Sequence, residues 1–131
     1  MSCTSMLYTV LTNADVAENG TAGFGSAVRG YGQALRLNGT GINQIGGGYF
    51  GVDASLTFTP TAAGPVTIQY YLDGTPIPGA IATTQGTASQ PLSLFVACET
   101  RNCGCQCNST LTYAISAAGT IDNLATRVTK G

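Results

Sequence analysis

Two adjacent segments of the chain, 49–60 and 65–72, alternate apolar and polar residues with a period of two. A strand directs successive side chains to opposite faces, so this alternation is typical of β-strands with one buried face. The stretch 61–64 between them, flanked by Pro60 and Pro65, is composed for a reversal of the chain. The pattern predicts an antiparallel hairpin at the centre of the fold. Its predicted inward residues are Phe50, Val52, Ala54, Leu56, Phe58, Val66, Ile68, Tyr70 and Leu72.

Shorter alternating segments fill the rest of the chain. None has the length and the 3.6-residue period of an amphipathic helix, and dipeptides that favour tight turns separate several of them. Roughly eight to ten short strands without a helix predict an all-β sandwich or barrel. The further predicted strands are 1–12, 34–37, 41–45, 80–84, 91–98, 109–117 and 124–130, and the predicted turns are 13–21, Asn38-Gly39 and Asp73-Gly74.

Length and composition indicate one domain that is covered by neighbours. The chain has 131 residues, enough for a single core, and we expect one domain over 1–131. Only 8% of the residues are charged and 44% are hydrophobic, whereas about a quarter of the residues in a typical soluble domain are charged. With so few charges on its surface, a monomer has little electrostatic repulsion to keep it from associating. We therefore expect copies of the chain, or a larger assembly, to cover its flanks.

Charge and hydropathy exclude several kinds of partner. The formal net charge of −1 provides no electrostatic attraction for nucleic acid or for an anionic membrane. No apolar run is long enough to span a bilayer, and the N-terminus lacks the basic start and apolar core of a signal peptide. We expect a protein that is made in a cytoplasm, leaves it without classical secretion, and binds neither nucleic acid nor membrane.

The sequence offers no recognisable catalytic set. It contains no histidine, which is the commonest general base and the usual partner of a serine or cysteine nucleophile. A pair of carboxylates from separate strands can serve a glycosidase, but Asp53 lies on an outward strand face and Asp73 precedes a glycine in a turn. We predict that the protein is not an enzyme and uses no cofactor. The six scattered carboxylates are Asp15, Glu18, Asp53, Asp73, Glu99 and Asp122.

Four of the five cysteines are concentrated in one loop, at Cys98, Cys103, Cys105 and Cys107, and Cys3 stands apart. Four thiolates can surround a zinc ion, but zinc loops usually leave two or more residues between paired ligands, so we predict no metal site and keep these four as its candidates. Disulfides within the hairpin or between subunits are a second interpretation. Reduced thiols, with Cys98 as a small core residue, are the third. The spacing leaves these alternatives open.

Two motifs, in this order, resemble a known family. Gly48-Tyr-Phe-Gly-Val52 opens a core strand, and Leu72-Asp-Gly-Thr-Pro-Ile-Pro-Gly79 closes the next hairpin. Both are similar to the tumour-necrosis-factor-like and complement-like jelly rolls of bacteria and their phages. The resemblance covers 49–131 and implies an all-β antiparallel jelly-roll sandwich that assembles as a tight homotrimer. The chain departs from the family because no collagen-like stalk precedes the domain and because the loop after Cys98 is rich in cysteine.

Interface candidates follow from strand geometry and from the trimer that the resemblance implies. Tyr70 and Tyr71 are adjacent in a strand and face opposite sides, so one belongs to the core and the other suits the trimer axis or a contact between subunits. The first segment carries bulky residues on both faces, including Leu7 and Tyr8. We therefore select Leu7, Tyr8, Tyr70 and Tyr71 as interface residues, and 1–12 as a strand that docks onto a partner or is swapped between subunits.

The function that we expect is structural, because the surface is nearly neutral, no catalytic set is present, and the trimer that the resemblance implies would bury the edges of the fold. We expect a homotrimeric phage capsid decoration protein, located in the virion, whose partners are itself and the major capsid protein or another virion component. An alternative is the receptor-binding or carbohydrate-binding head of a phage fibre, in which loops 20–32 and 99–108 contact a cell-surface glycan. A protein of a bacterial cell or spore surface is a third interpretation.

Overall fold

The structure, a computed structural model, describes residues 5–102 and 108–130. Within these ranges the chain forms ten β-strands and no α-helix. The strands are β1 (Ser5–Val16), β2 (Ser26–Tyr31), β3 (Leu35–Asn38), β4 (Gly41–Ile45), β5 (Gly48–Pro60), β6 (Gly64–Leu72), β7 (Thr75–Gly86), β8 (Leu92–Asn102), β9 (Asn108–Ile115) and β10 (Gly119–Lys130).

The strands divide equally between two antiparallel sheets that form a sandwich. Sheet A has the order β2-β1-β10-β5-β8, and sheet B has the order β3-β4-β9-β6-β7. The inward residues of both sheets join in one hydrophobic core. Its largest fully buried hydrophobic side chains are Tyr70, Tyr113, Phe24, Phe50, Phe58, Ile42, Ile68, Leu111, Ile115, Ile121 and Leu124.

The prediction of a central hairpin over 49–72 was wrong. β5 pairs with β10 and β8 in sheet A, whereas β6 pairs with β7 and β9 in sheet B. Residues 61–63 therefore carry the chain from one sheet to the opposite one. A strand that ends at a corner between sheets has the same alternation and the same turn residues as one that ends in a hairpin, so local sequence does not separate the two.

The predicted inward faces of these two strands are confirmed. The inward side chains of β5 are at most 3% exposed, and those of β6 are buried except Leu72, which is half-buried. Asn38-Gly39 joins β3 to β4, and Asp73-Gly74 joins β6 to β7, as their turn composition predicts. The short predicted strand 80–84 is part of the longer β7.

The first strand is longer than predicted. β1 continues past Thr12 to Val16, where Asp15 pairs with Thr120 and Val16 with Gly119, so residues 13–16 are not a turn. Asn13 has φ 52° and marks an irregularity that strand pairing accommodates. Because residues 5–12 pair with β10 of the same chain, a docking arm or an exchanged strand over 1–12 would have to replace these pairings.

The short edge strand β2 was missed. All six of its residues are exposed, so it carries no alternation between buried and exposed positions. Gly25 leads into β2 at φ +78°, and a Cβ there would collide with the carbonyl group of Val10. Glycine at this position therefore permits β2 to lie beside β1.

Candidate interaction surface

The two outer faces of the sandwich differ in chemistry. On sheet B, hydroxyl and amide side chains pair laterally: Thr67 Oγ1 lies 2.8 Å from Thr83 Oγ1, and Thr110 Oγ1 donates to Asn43 Oδ1 at 3.0 Å. Such a face is well suited to water. Within the described ranges, sheet B exposes one large hydrophobic residue, Ile81 on β7.

The outer face of sheet A is richer in apolar groups. Within the described part of the chain, four of the five large exposed hydrophobic residues belong to this sheet: Val28 (56% exposed), Tyr31 (58%), Tyr49 (64%) and Phe95 (65%). The register aligns the outward side chains in rows across the strands. Three neighbouring rows are Tyr31–Met6–Thr129–Gly51–Glu99, Arg29–Tyr8–Arg127–Asp53–Ala97 and Ser26–Val10–Ala125–Ser55–Phe95. We call this surface the aromatic face.

Tyr8, on the strand next to the β2 edge, lines two shallow depressions of the aromatic face. One has a volume of about 200 Å³ and extends from Tyr8 to Phe95. The other has a volume of about 280 Å³ and reaches Val28 and Arg29. Two depressions that meet at the half-buried Tyr8 provide relief that a complementary surface can fill.

The middle of the aromatic face carries the one salt bridge of the described residues, between Arg127 Nη2 and Asp53 Oδ2 at 2.9 Å. Both side chains are about half exposed, so the pair adds little to stability in the isolated chain. Near the β8 edge, the guanidinium carbon of Arg101 lies 5.7 Å from the centre of the Tyr49 ring. Two of the arginines of the face thus have a partner within the chain.

The four interface candidates separate into two pairs. Leu7 and Tyr70 are buried within the chain's own core and have no side-chain surface to offer a second subunit. Tyr8 lies on the aromatic face, and Tyr71 lies half-buried on the outer face of sheet B. As predicted, one of the adjacent tyrosines belongs to the core. The interface prediction therefore narrows to Tyr8 and Tyr71.

The buried tyrosine belongs to an aromatic cluster. The ring centre of Phe24 lies 6.2 Å from that of Tyr70 and 5.2 Å from that of Tyr113. The hydroxyl of Tyr70 lies 3.2 Å from Thr126 Oγ1, and Tyr113 donates to the carbonyl of Gly23 at 2.5 Å. Burial raises the pKa of both tyrosines above the usual value.

Sequence reasoning missed a buried polar cluster where β8 and β9 approach their connection. Thr100 donates to Gln44 Oε1 at 2.9 Å, and Asn102 Nδ2 donates to the carbonyls of Gln44 and Gly46 at 2.9 and 3.0 Å. Ser109 Oγ donates to Asn102 Oδ1 at 2.6 Å. A signal was available, because 100 and 102 continue the inward parity of β8, and 109 that of β9. Within the described residues, Gln44 Nε2 is buried without a hydrogen-bond partner.

Of the five cysteines, only Cys98 lies within the described residues, whereas Cys3, Cys103, Cys105 and Cys107 lie outside them. Cys98 is half-buried on β8, and burial raises the pKa of its thiol to about 11, with a smaller contribution from Asp53. A thiol with so high a pKa is a weak nucleophile at neutral pH. In the described ranges, no three potential metal ligands form a group.

The two loops that were assigned to a receptor-binding surface are only partly described, and 99–102 and β2 lie at opposite edges of sheet A. The stretch 20–32 contains β2, at one edge of sheet A, and 99–102 belongs to β8, at the opposite edge. Residues 103–107 lie outside the described part. No helix of the described residues is long and apolar enough to span a membrane.

Several carboxylates accept hydrogen bonds that tie strands or turns together. Asp15 accepts from Thr120 Oγ1 at 2.9 Å, and Asp122 accepts from Thr59 Oγ1 at 2.6 Å. Asp73 accepts from the backbone N–H of residue 110 at 2.9 Å. These contacts give each of the three a role in the fold.

No protein-family model matches the chain, and no curated protein matches it. Solved structures do share its fold. Murine APRIL at pH 5.0 superposes with a TM-score of 0.75 at 10% identity, over 95% of this chain and 98% of that one. The globular domain of zebrafish complement 1qA gives a TM-score of 0.65 at 6% identity, over 95% and 94%. The PRD1 vertex protein P5 gives 0.64 at 10% identity, over 99% and 98%.

These similarities confirm the predicted fold class. The chain is an all-β antiparallel sandwich with the jelly-roll fold of tumour-necrosis-factor-like proteins. At such low identities the likeness concerns the fold alone. Among the similar structures is a phage vertex protein.

Proposed function

We propose that the protein is a structural component that assembles as a homotrimer through the aromatic face. The contrast between the two outer faces carries the proposal: sheet A exposes Val28, Tyr31, Tyr49 and Phe95, whereas sheet B is covered with hydroxyl and amide groups. An exposed aromatic patch beside polar groups is typical of an interface. Closed association around an axis also removes the exposed edges of sheet A from water.

The assembly is tested by measuring its mass and by placing a charge on each face. Light scattering should give about three times the 13.3 kDa of one chain. Phe95→Glu should shift the mass toward the monomer, because it places a carboxylate in the apolar surface. Ile81→Glu is the matched control, since it introduces the same charge at an exposed hydrophobic residue of sheet B and should leave the mass unchanged. A wild-type chain that stays monomeric at high concentration would contradict the proposal.

We place this trimer in a phage particle, as a capsid decoration protein that contacts the major capsid protein. The support is the PRD1 vertex protein P5, which shares the fold over nearly the full length of both chains, together with the low fraction of charged residues. Quantitative mass spectrometry of purified particles of a virus that encodes the chain tests the location. A fixed copy number in a multiple of three is expected, and absence from intact particles would refute it.

A groove between the sheet edges favours a second candidate function, the binding of a cell-surface glycan. The groove has a volume of about 240 Å³ between β7 and β8, and its lining includes Leu72, Pro76, Glu99 and Arg101. The exposed ring of Tyr49 lies beside Arg101. Apolar walls with a few charged groups suit a sugar ring. Binding on a glycan array that Tyr49→Ala abolishes would support this candidate, and an array without signal would remove it.

A further inference from the structure

Two carboxylates of the outer face of sheet A, Asp15 and Asp122, accept hydrogen bonds from Thr120 and Thr59. Five further charged residues lie in the three rows or beside Tyr49, and three of these five have partners within the chain. Arg127 is paired with Asp53 at 2.9 Å, and Arg101 lies over the ring of Tyr49. The other two, Arg29 and Glu99, are exposed, and no residue of the described ranges forms a salt bridge with either. One cation and one anion therefore remain unpaired on the same face.

These two charges lie at opposite edges of sheet A. Arg29 belongs to β2 and Glu99 to β8, and β1, β10 and β5 lie between them. Four strand spacings separate them by about 19 Å, so they are too far apart to pair within one chain. They do lie at similar heights, because Arg29 is in the row of Tyr8 and Glu99 is in the adjacent row.

In a ring of three, the contact between neighbouring copies is heterologous, so one surface of a subunit meets a different surface of the next. Opposite edges of one face can then meet at every contact. We propose that Arg29 of each subunit forms an ion pair with Glu99 of the next subunit, and that this pair selects the head-to-tail arrangement. The inference rests on the proposed trimer and extends it to the residues that specify it.

Scarcity of charge gives this pair its importance. Only 8% of the residues are charged, and Arg127, Asp53 and Arg101 already have partners within the chain, so few competing contacts remain on the aromatic face. An arginine or a glutamate that is covered by an apolar surface without a partner is strongly unfavourable. Arrangements that leave Arg29 and Glu99 unpaired are therefore rejected, which is how charges usually contribute specificity at interfaces.

A charge-reversal cycle tests the pair. Arg29→Glu and Glu99→Arg should each raise the concentration at which half of the trimer dissociates by about tenfold or more, because each variant puts like charges together at all three contacts. The double variant Arg29→Glu/Glu99→Arg restores opposite charges and should return to within about threefold of the wild type. Dilution series followed by light scattering provide the measurement, and circular dichroism verifies that each variant is folded.

Two matched controls reverse exposed charges that lie off the aromatic face. Arg36→Glu on β3 and Glu18→Arg in the turn after β1 change the net charge by the same amounts, and neither should move the dissociation midpoint by more than about twofold.

Mixing the Arg29→Glu chain with the Glu99→Arg chain gives a further check. Any mixed trimer has two contacts with opposite charges and one with like charges, so mixed trimers should form where neither chain alone assembles.

The outcomes separate the two proposals. A wild-type chain without a trimeric form would refute the proposed function and, with it, the pair. A stable wild-type trimer in which the double variant is as weak as the sum of the single variants would overturn the ion pair and leave the trimer in place. If Arg29→Glu does not fold, Arg29→Gln and Glu99→Gln should both reduce the salt dependence of dissociation, and an unchanged salt dependence would overturn the pair.

Discussion

Ser109 Oγ donates a 2.6 Å hydrogen bond to Asn102 Oδ1, and this contact joins the last residue of β8 to the second residue of β9 across the sandwich. The amide nitrogen of Asn102 continues the link to the carbonyls of Gln44 and Gly46. One buried side chain thus connects sheet A to sheet B at the end of β8.

Asn102→Ala should destabilise the protein by about 2–4 kcal/mol, because it removes three hydrogen bonds, two of them buried, to the carbonyls of Gln44 and Gly46 and to the hydroxyl of Ser109. Urea unfolding measures the loss. Asn43→Ala is a suitable control, since Asn43 is half-buried and accepts a hydrogen bond from Thr110 on the outer face of sheet B. Its loss should stay below about 1 kcal/mol. Equal losses in the two variants would show that the buried cluster contributes no more to the free energy of unfolding than the hydrogen bond between Asn43 and Thr110 does.

Stability should fall as pH rises above about 9, and Cys98 is one cause. Burial raises the pKa of its thiol from 9.0 to about 11, so the native state holds more protons than the unfolded state between these values. The contribution of Cys98 is fully present below pH 9 and is lost as pH rises to about 11. Burial of Tyr70 raises its pKa and acts in the same direction.

Urea unfolding at a series of alkaline pH values checks this prediction. Cys98→Ala should show a shallower decline of the free energy of unfolding than the wild type, because it removes one of the groups that titrate differently in the two states. If the two proteins lose stability in parallel over this range, Cys98 is not a source of the alkaline sensitivity.

Gly25→Ala should be far more damaging than Gly39→Ala. Both glycines have positive φ, but a Cβ at Gly25 would collide with the backbone of Val10, whereas a Cβ at Gly39 would meet nothing within 4 Å. The Gly39 variant should therefore lose only the conformational cost of about 1–2 kcal/mol. The Gly25 variant should lose at least about 3 kcal/mol or detach β2 from β1. Thermal melting, with amide exchange on β2, distinguishes these results, and similar melting temperatures would contradict the close approach.

Phe24 and Tyr31 are both flanked by glycines, yet they should respond oppositely to truncation. Phe24 is 1% exposed and belongs to the aromatic cluster, so Phe24→Ala should cost about 3–5 kcal/mol of folding free energy. Tyr31 is 58% exposed, and Tyr31→Ala should alter monomer stability by less than about 0.5 kcal/mol while it weakens the trimer. Unfolding and light scattering on the same samples give both quantities. A folding loss at Tyr31 as large as that at Phe24 would refute the division of roles.

Local pattern was sufficient to predict which side chains point inward. Phe50, Val52 and Phe58 are buried as their alternation requires, because strand geometry alone fixes the period of two. Sheet membership was not predictable in this way. Val52 pairs with Val128, and pairings over such separations depend on the whole set of strands rather than on the turn that follows β5.

The candidate surface was only partly visible in the sequence. The first segment carries bulky residues on both faces, so the sequence selected Leu7 and Tyr8 alike, and only the structure shows that Tyr8 is the one on the outer face. Tyr31 and Phe95 lie at the two edges of sheet A, and only the order β2-β1-β10-β5-β8 shows that they share one face. Nothing in the local sequence marks Arg29 and Glu99 as interface residues. We propose them because neither forms a salt bridge with a described residue.

The pairing of β1 with β10 also governs the order of events during synthesis. β1 is the first described strand to leave the ribosome, and β10, which pairs with it, is the last. Contacts over such a sequence separation form slowly, so sheet A stays incomplete until translation has passed Lys130. A chain released early would lack the strand that holds Ala125 and Arg127 between Tyr8 and Asp53. Such fragments would lack the finished outer face of sheet A, so they could not enter the proposed assembly.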